Sequence, residues 1–488
     1  MMKLLLLSLL ASVLPAAGVQ QLDSVSVASD TSKVVLTLED ALKIAMSENI
    51  SVKVADMEIQ RTQYAKKGSY ASLFPQIDGS AAFQRTIQKQ VMYMDSGSFD
   101  VSSMVQPLLE PLYQMHPELP NPFAQSSTTD DTSSSSGDGF SVGRWNTWSA
   151  GITASMPLVN AQLWQSLKIS GQEVELAVEK ARSSRLDMIS QVKNAFYAIL
   201  LAKEAYAVYE MVYENAVENL GVTQMRYNAQ KATEMELVRA KTTVASVVPD
   251  LYTGSNNVEL SLWQLKALMG VDLDMNIDVA GSLQDYADQM VLPRSGDDPA
   301  IDGNSSLRQL SLQLEELATT VKMNKMAYVP SLAVAFNYTY SAMTNDFNFS
   351  EYKWTPYSYV GLSLSIPIFS GGKRLNTVRA SKVQMEQLRL QRENAERQLR
   401  IAVRSDLNTM VTNVNSYEAA RSAVQSAQKG YDISAKSYQV GRSTLVELND
   451  ALLALSQAQL MQWQAVYSYL TTKSDLEKQI GADYSIQQ

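Results

Sequence analysis

The chain has 488 residues, 45% of them hydrophobic, and a formal net charge of −9 with acidic and basic residues interspersed. That length exceeds one ordinary globular core, and the charge pattern offers no basic patch for nucleic acid. There is no cysteine, which excludes disulfides, thiolate metal sites, a cysteine nucleophile and a lipid-modified N-terminal cysteine; the one histidine, His116, lies among prolines.

Lys3, the apolar run Leu4–Leu10 and the small residues Ala16 and Ala17 read as a secretory signal peptide over 1–18. Residues 19–36 are polar and predicted disordered. Thr37-Leu38-Glu39-Asp40 reads as a helix start, with Thr37 as cap and Asp40 reaching back. The helix runs towards Leu73 and ends before Pro75. Gln76–Ile87 then alternates with period two. Residues 91–144 are rich in Ser, Pro, Asp and Gly, and are predicted to be a long exposed loop. Trp148, Ala150, Ile152, Ala154 and Met156 alternate with Thr147, Ser149, Gly151, Thr153 and Ser155, and Pro157 follows. From Asn160 to about Tyr227 a helix of roughly 100 Å is expected at ~1.5 Å per residue. A turn follows near 228–232. Thr233-Glu234-Met235-Glu236 restarts a helix reaching Gly270, with a kink or break expected at Pro249.

Residues 271–304 read as an irregular linker. A helix over 306–328 ends at Pro330. Leu332, Val334, Phe336, Tyr338 and Tyr340 mark a third strand, and Val360, Leu362, Leu364 and Ile366 a fourth, stopped by Pro367. The second long helix spans about 373–438. A turn at 440–444 leads to a last helix ending at Gly481, and 482–488 form a tail. After the N-terminal run, no stretch approaches the ~18 apolar residues of a membrane-spanning helix, so any span must be made of strands.

The two halves correspond. Asn49 stands to Pro75 as Asn304 stands to Pro330; Pro157 answers Pro367, Tyr227 answers Tyr438, and Gly270 answers Gly481. This spacing predicts an internal duplication: a first repeat over 37–270, a linker over 271–304 and a second repeat over 305–481. The excess length of the first repeat lies in the loop 91–144. Each strand is about ten residues, enough to cross a bilayer core when tilted. Four strands cannot close a barrel, and an open edge is not viable in lipid, so several chains must share one.

Leu38-Glu39-Asp40-Ala41-Leu42, the strand openings at Pro75 and Pro330, Ile366-Pro367-Ile368-Phe369-Ser370-Gly371-Gly372, and Tyr438-Gln439-Val440-Gly441 together resemble the TolC family of outer-membrane efflux channels. The likeness covers nearly the whole chain beyond the signal peptide. It implies a mainly α fold with a membrane β-barrel: a homotrimer with four strands per chain in a shared 12-stranded barrel, continued by a long α-helical periplasmic tunnel. It also implies a periplasmic adaptor protein, an inner-membrane pump and outer-membrane lipid as partners, with no cofactor and no metal. In that family the two helix turns form the periplasmic tip, which docks the adaptor and constricts in the closed state. Tyr438, Val440, Gly441 and Thr444 match the second turn. In the first, Tyr227 is retained but Gln230 replaces the glycine. Where the family has a basic residue two positions after the glycine stands Ser443, with Arg442 one position early.

The resemblance also places an acidic ring at the tunnel's narrow end, at Glu447 and Asp450, with Glu236 answering Glu447 in the first half and Arg239 standing opposite Asp450. A second reading stands beside it. Thr444 to Glu447 and Thr233 to Glu236 both have capping-box spacing, and acids in a first turn suit the helix dipole. No enzyme site is legible: Gly371-Gly372-Lys373 lacks the first glycine and the Ser/Thr of a phosphate loop. The expected function is a passive export duct for drugs, other small molecules or secreted proteins. The alternative is a barrel-anchored helical spacer or adhesin with a structural role only.

Overall fold

The computed structural model describes residues 33–92, 115, 140–292 and 300–482. The expected signal peptide, most of the loop 91–144, His116 and residues 483–488 lie outside the described residues. In chain order the elements are β1 (Val34–Leu36), α1 (Leu38–Glu48), α2 (Ile50–Ala71), β2 (Gln76–Arg85), β3 (Gln90–Met92), β4 (Phe140–Val142), β5 (Asn146–Val159) and α3 (Ala161–Asn228). There follow α4 (Glu234–Met269), β6 (Ile277–Val279), α5 (Leu283–Ala287), α6 (Ser305–Met326), β7 (Ser331–Thr344), β8 (Thr355–Ser365), α7 (Lys373–Gln439) and α8 (Leu445–Ile480). They fall into two units. One comprises Met57–Glu179 and Gln309–Asn394; the other comprises Met1–Asp56, Lys180–Arg308 and Ala395–Gln488.

The first unit holds one antiparallel sheet, ordered β2-β5-β7-β8. Directly paired residues share a face, so the register sorts the side chains. Phe83 pairs with Trp148 and Trp148 with Ala342; Ile77 pairs with Ala154, Ala154 with Phe336, and Phe336 with Val360. One face is therefore apolar across all four strands. Asp78, Thr153, Asn337 and Tyr359 form a row on the other, with Ser80, Gly151 and Thr339 in the next. On β5 the apolar stripe from Trp148 to Met156 runs about 26 Å at ~3.3 Å per residue. Every residue of β2 is exposed, and all but one of β8, so both edge strands leave ladders unpaired.

Three features of this unit depart from the sequence reading. β5 does not stop at Pro157 but continues to Val159, with an irregularity between the two that lets the ladder resume after a residue lacking an N–H. Pro356 lies inside β8, where an edge strand tolerates it. The ends of the expected loop 91–144 are paired as the ribbon of β3 with β4.

The second unit is built mainly on buried side chains of its helices. Leu42 of α1, Phe196 and Leu200 of α3, Leu265 of α4, Met410 of α7 and Val466 of α8 belong to one cluster. The helix expected from Thr37 to Leu73 is broken at Asn49, whose ψ of 127° leaves the helical region. Its Oδ1 accepts from the N–H groups of Ser51 and Val52, at 2.8 and 3.2 Å, and its Nδ2 donates to the Leu268 carbonyl at 2.6 Å. Asn304 does the same: Oδ1 accepts from Leu307 N–H at 2.9 Å and Nδ2 donates to the Gln479 carbonyl at 2.8 Å. α4 runs unbroken through Pro249, since losing one ladder bond in a 36-residue packed helix does not end it.

Residues 34–36, expected to be disordered, instead form β1, parallel to β6 within the expected linker 271–304. The reason is burial: Leu36, Ile277, Val279 and Leu283 all enter the main core. Asp278 between them accepts from Lys203 at 2.6 Å and Lys33 at 2.8 Å. Burial pushes its carboxyl up, but the hydrogen bonds from Lys203, Lys33 and the Val279 N–H outweigh this and hold it at about 2. A depressed folded value stabilises above the unfolded pKa and is lost as pH falls through the folded one. Protection of the amides at 34–36 and 277–279, measured against their intrinsic exchange, should therefore fall between pH about 4 and about 2. Asp278→Asn should exchange faster at neutral pH and lose that dependence. Among the described residues, no helix is long and apolar enough to cross a membrane.

Candidate functional site: the paired helix turns

The two turns joining α3 to α4 and α7 to α8 are built alike. At the first, Gln230 N–H donates to the Tyr227 carbonyl at 2.9 Å and Lys231 N–H to the Arg226 carbonyl at 2.8 Å. At the second, Gly441 N–H donates to the Tyr438 carbonyl at 3.0 Å and Arg442 N–H to the Ser437 carbonyl at 2.8 Å. This pattern closes a helix end and requires a left-handed residue after it. Gly441 supplies φ +80° without strain, whereas Gln230 holds φ +58° with a Cβ. It is the only non-glycine residue with positive φ among the described residues. Gln230→Gly should therefore raise stability by about 1 kcal/mol, read as an upward shift of the thermal midpoint.

Each following helix opens with a complete capping box. Glu236 accepts from Thr233 N–H at 2.9 Å, and Glu447 from Thr444 N–H at 3.0 Å. Glu447 takes a further bond from the Ser443 hydroxyl at 2.6 Å. That bond, then the Thr444 N–H, holds its carboxyl below the usual glutamate range. The position where the family has a basic residue thus serves the cap. Asp450 lies beyond the box, is exposed, and has no hydrogen-bond or ion-pair partner among the described residues. Glu236 is half-buried; Thr444 and Val440 are exposed, Val440 at 72%.

The two tyrosines are not equivalent. Tyr227 is exposed, but Tyr438 is 1% exposed and packs with Ala240, Leu445 and Leu448. Its hydroxyl and the Thr223 hydroxyl share a hydrogen bond at 2.6 Å. Arg226 donates to the Tyr438 carbonyl at 3.0 Å, and its guanidinium lies 4.7 Å from the centre of the Tyr438 ring. The basic partner of Tyr438 is therefore Arg226 from the other half of the chain, and neither Arg442 nor Ser443. The sequence reading missed Arg226 and Thr223. The available signal was the matched placing of the two turns, which sets the end of α3 beside the end of α7. Met225, Met235 and Val446 stand exposed at these turns. No group of acidic, histidine or cysteine residues among those described could hold a metal ion.

The chain thus combines a four-stranded sheet with one apolar face and two open edges with two pairs of long helices that end in matched turns. The sequence model described as "Outer membrane efflux protein" matches residues 122–271 and 298–482. That is well over half the chain, and the chain belongs to the outer membrane efflux protein family. It is similar to outer membrane protein TolC of Salmonella enteritidis, 23% identical over 349 residues and covering 69% of each chain. It is also similar to the alkaline protease secretion protein AprF of Pseudomonas aeruginosa, 21% identical over 333 residues, covering 68% of this chain and 69% of the other. Among solved structures, the Campylobacter jejuni CmeC outer membrane channel superposes with a TM-score of 0.67 at 17% identity, covering 92% of this chain and 87% of that one. The open state of the Neisseria gonorrhoeae MtrE outer membrane channel gives 0.65 at 16% identity, covering 91% and 88%. The protein is an outer-membrane efflux or secretion duct.

Proposed function

We propose that three copies of the chain close a 12-stranded barrel in the outer membrane of a Gram-negative cell, with the long helices forming a periplasmic tunnel. The carrying observation is the four-stranded sheet: one apolar face, one polar face, and two exposed edges that lipid cannot satisfy. α7 supports the same assembly. Its Ser381 and Arg392 meet Asn324 and Ser311 of α6, at 2.6 and 3.0 Å. Val383 and Leu390 lie roughly opposite on the helix at ~100° per residue, exposed by 58% and 53%. A second copy would cover that stripe. The corresponding halves, with Asn49 and Asn304 making the same bridge, support an origin by internal duplication. The N-terminal segment 1–18 is proposed as the export signal.

In this reading the paired turns are the periplasmic tip. They dock the adaptor of an inner-membrane pump through the exposed residues around Tyr227, Val440, Gly441 and Thr444, and Tyr438 holds the tip shut. The pump selects the cargo, because a wide duct has no specificity pocket. Light scattering in mild detergent should give a trimeric mass, and the trimer should conduct ions across a planar bilayer. A monomeric mass with secondary structure intact would sink the barrel; a trimer without conductance would favour a structural spacer or adhesin.

Asp450 and Glu447 are proposed to line the narrow end as a carboxylate ring that favours cations. Asp450 separates this role from capping, because it lies outside the box. Asp450→Asn should lower the cation-over-anion permeability ratio about twofold with little change in stability. Glu447→Gln should shift it in the same direction while keeping the cap roughly intact. Reversal potentials in a salt gradient read both variants, and no change in either leaves only the cap.

A further inference from the structure

We propose that the loop end of the sheet binds the phosphorylated headgroup of an outer-leaflet glycolipid. The inference rests on the reading of the apolar face as the lipid-facing one. The segment joining β7 to β8 is tied back onto that face. Asn146 Nδ2 and the Tyr352 hydroxyl both donate to the Asp346 carbonyl, at 3.0 and 2.9 Å. Phe347 then lies 6.0 Å from Phe83, and Phe349 lies 5.0 Å from Trp148, between ring centres. Phe83 and Trp148 belong to the apolar face by register. Phe347 and Phe349 nevertheless remain 51% and 57% exposed. They form an aromatic shelf continuous with the membrane stripe, at the depth where aromatic rings meet headgroups.

The shelf carries cation. Arg85 pairs with Asn146 across the sheet and so shares the outward face; its guanidinium stands 5.6 Å from the centre of the Phe347 ring. Lys89, just beyond the strand, sits 4.8 Å from the centre of the Trp145 ring. Neither makes an ion pair among the described residues, although Asp346 and Glu351 lie on the same loop. A cation stacked on an aromatic ring keeps its N–H groups available, and a guanidinium matches phosphate with two parallel bonds. An apolar stripe, an aromatic shelf and unpaired cation follow one another outward. That is the order of acyl chain, interface and phosphate in a phosphorylated glycolipid, and a protein partner would have no use for the membrane stripe.

The test uses the full-length protein purified in detergent, titrated with a bis-phosphorylated lipid A-type glycolipid and with its dephosphorylated form. Bound lipid is read by native mass spectrometry, and each preparation is also tested for single-channel conductance. The expected result is preference for the phosphorylated form, weakened about tenfold by Arg85→Gln, as loss of one charge-assisted contact predicts. Arg85→Lys should retain part of the preference, Lys89→Gln should weaken it less, and conductance should not change. Equal binding of both glycolipids by the native chain, or unaltered binding by Arg85→Gln, would overturn the inference. Absence of conductance with the headgroup preference intact would instead count against the channel reading.

Discussion

Replacing Gly481 by valine is expected to cost at least about 4 kcal/mol and to lower the apparent thermal midpoint by at least about 4 °C. Gly481 caps α8 in the left-handed region, at φ +68°, where a β-branched residue is strained. The backbone around it is also closed. A Cβ at Gly481 would collide with the Gly303 carbonyl, and the Asn304 N would be 3.1 Å away. Arg182 ties the same two strands of chain together, donating to the Gly303 carbonyl at 3.1 Å and the Gly481 carbonyl at 3.0 Å. Both obstacles are backbone, so no side-chain rotation relieves them. Gly371 is the control: its φ is +57°, but nothing lies within 4 Å of a Cβ there. Gly371→Ala should cost only about 1 kcal/mol, the conformational term alone. Equal losses at Gly481 and Gly371 would show that conformation, and not the close approach to Gly303, sets the cost.

The contrast between these glycines bears on what the sequence could reveal. Both belong to motifs read from the chain, yet only the structure shows which one has a backbone neighbour. The strands were legible because a two-residue period needs no distant information, and the sheet register confirms the faces it assigned. The capping boxes were legible for the same local reason, and Thr37, Thr233 and Thr444 all cap as their spacing implies. What escaped was decided at long range. Asn49 interrupts good helix formers because Leu268, 219 residues away, accepts its amide. Residues 34–36 are too short a stretch to signal a strand alone and are ordered by pairing with 277–279. Arg226 meets Tyr438 across 212 residues. A search for that basic partner within the second turn could not find it.

The largest functional effect is expected from removing that clasp between the two halves of the chain. In the double variant Arg226→Ser with Tyr438→Phe, the single-channel conductance should rise several-fold. The Tyr438–Thr223 hydroxyl pair is buried and contributes about 1 kcal/mol. The bond from Arg226 to the Tyr438 carbonyl is charge-assisted, worth about 1.5–3 kcal/mol, and the stacking on the ring adds about 0.5–1 kcal/mol. Together these make about 3–5 kcal/mol holding the end of α3 to the end of α7, enough to shift a two-state equilibrium by at least about a hundredfold. Tyr438→Phe alone removes only the hydroxyl contact, because Thr223 keeps its own bond to the Asn219 carbonyl at 2.7 Å and the ring stays in its pocket with Leu445 and Leu448. Arg226→Ser alone should have the greater effect of the two. Amide exchange over 437–442 distinguishes a clasp from packing. If exchange quickens there while conductance stays at the native value, Tyr438 only packs the turn, and the closed state is held elsewhere. If conductance rises and the capping residues Thr233 and Thr444 stay protected, the turns themselves survive and the helices have parted above them.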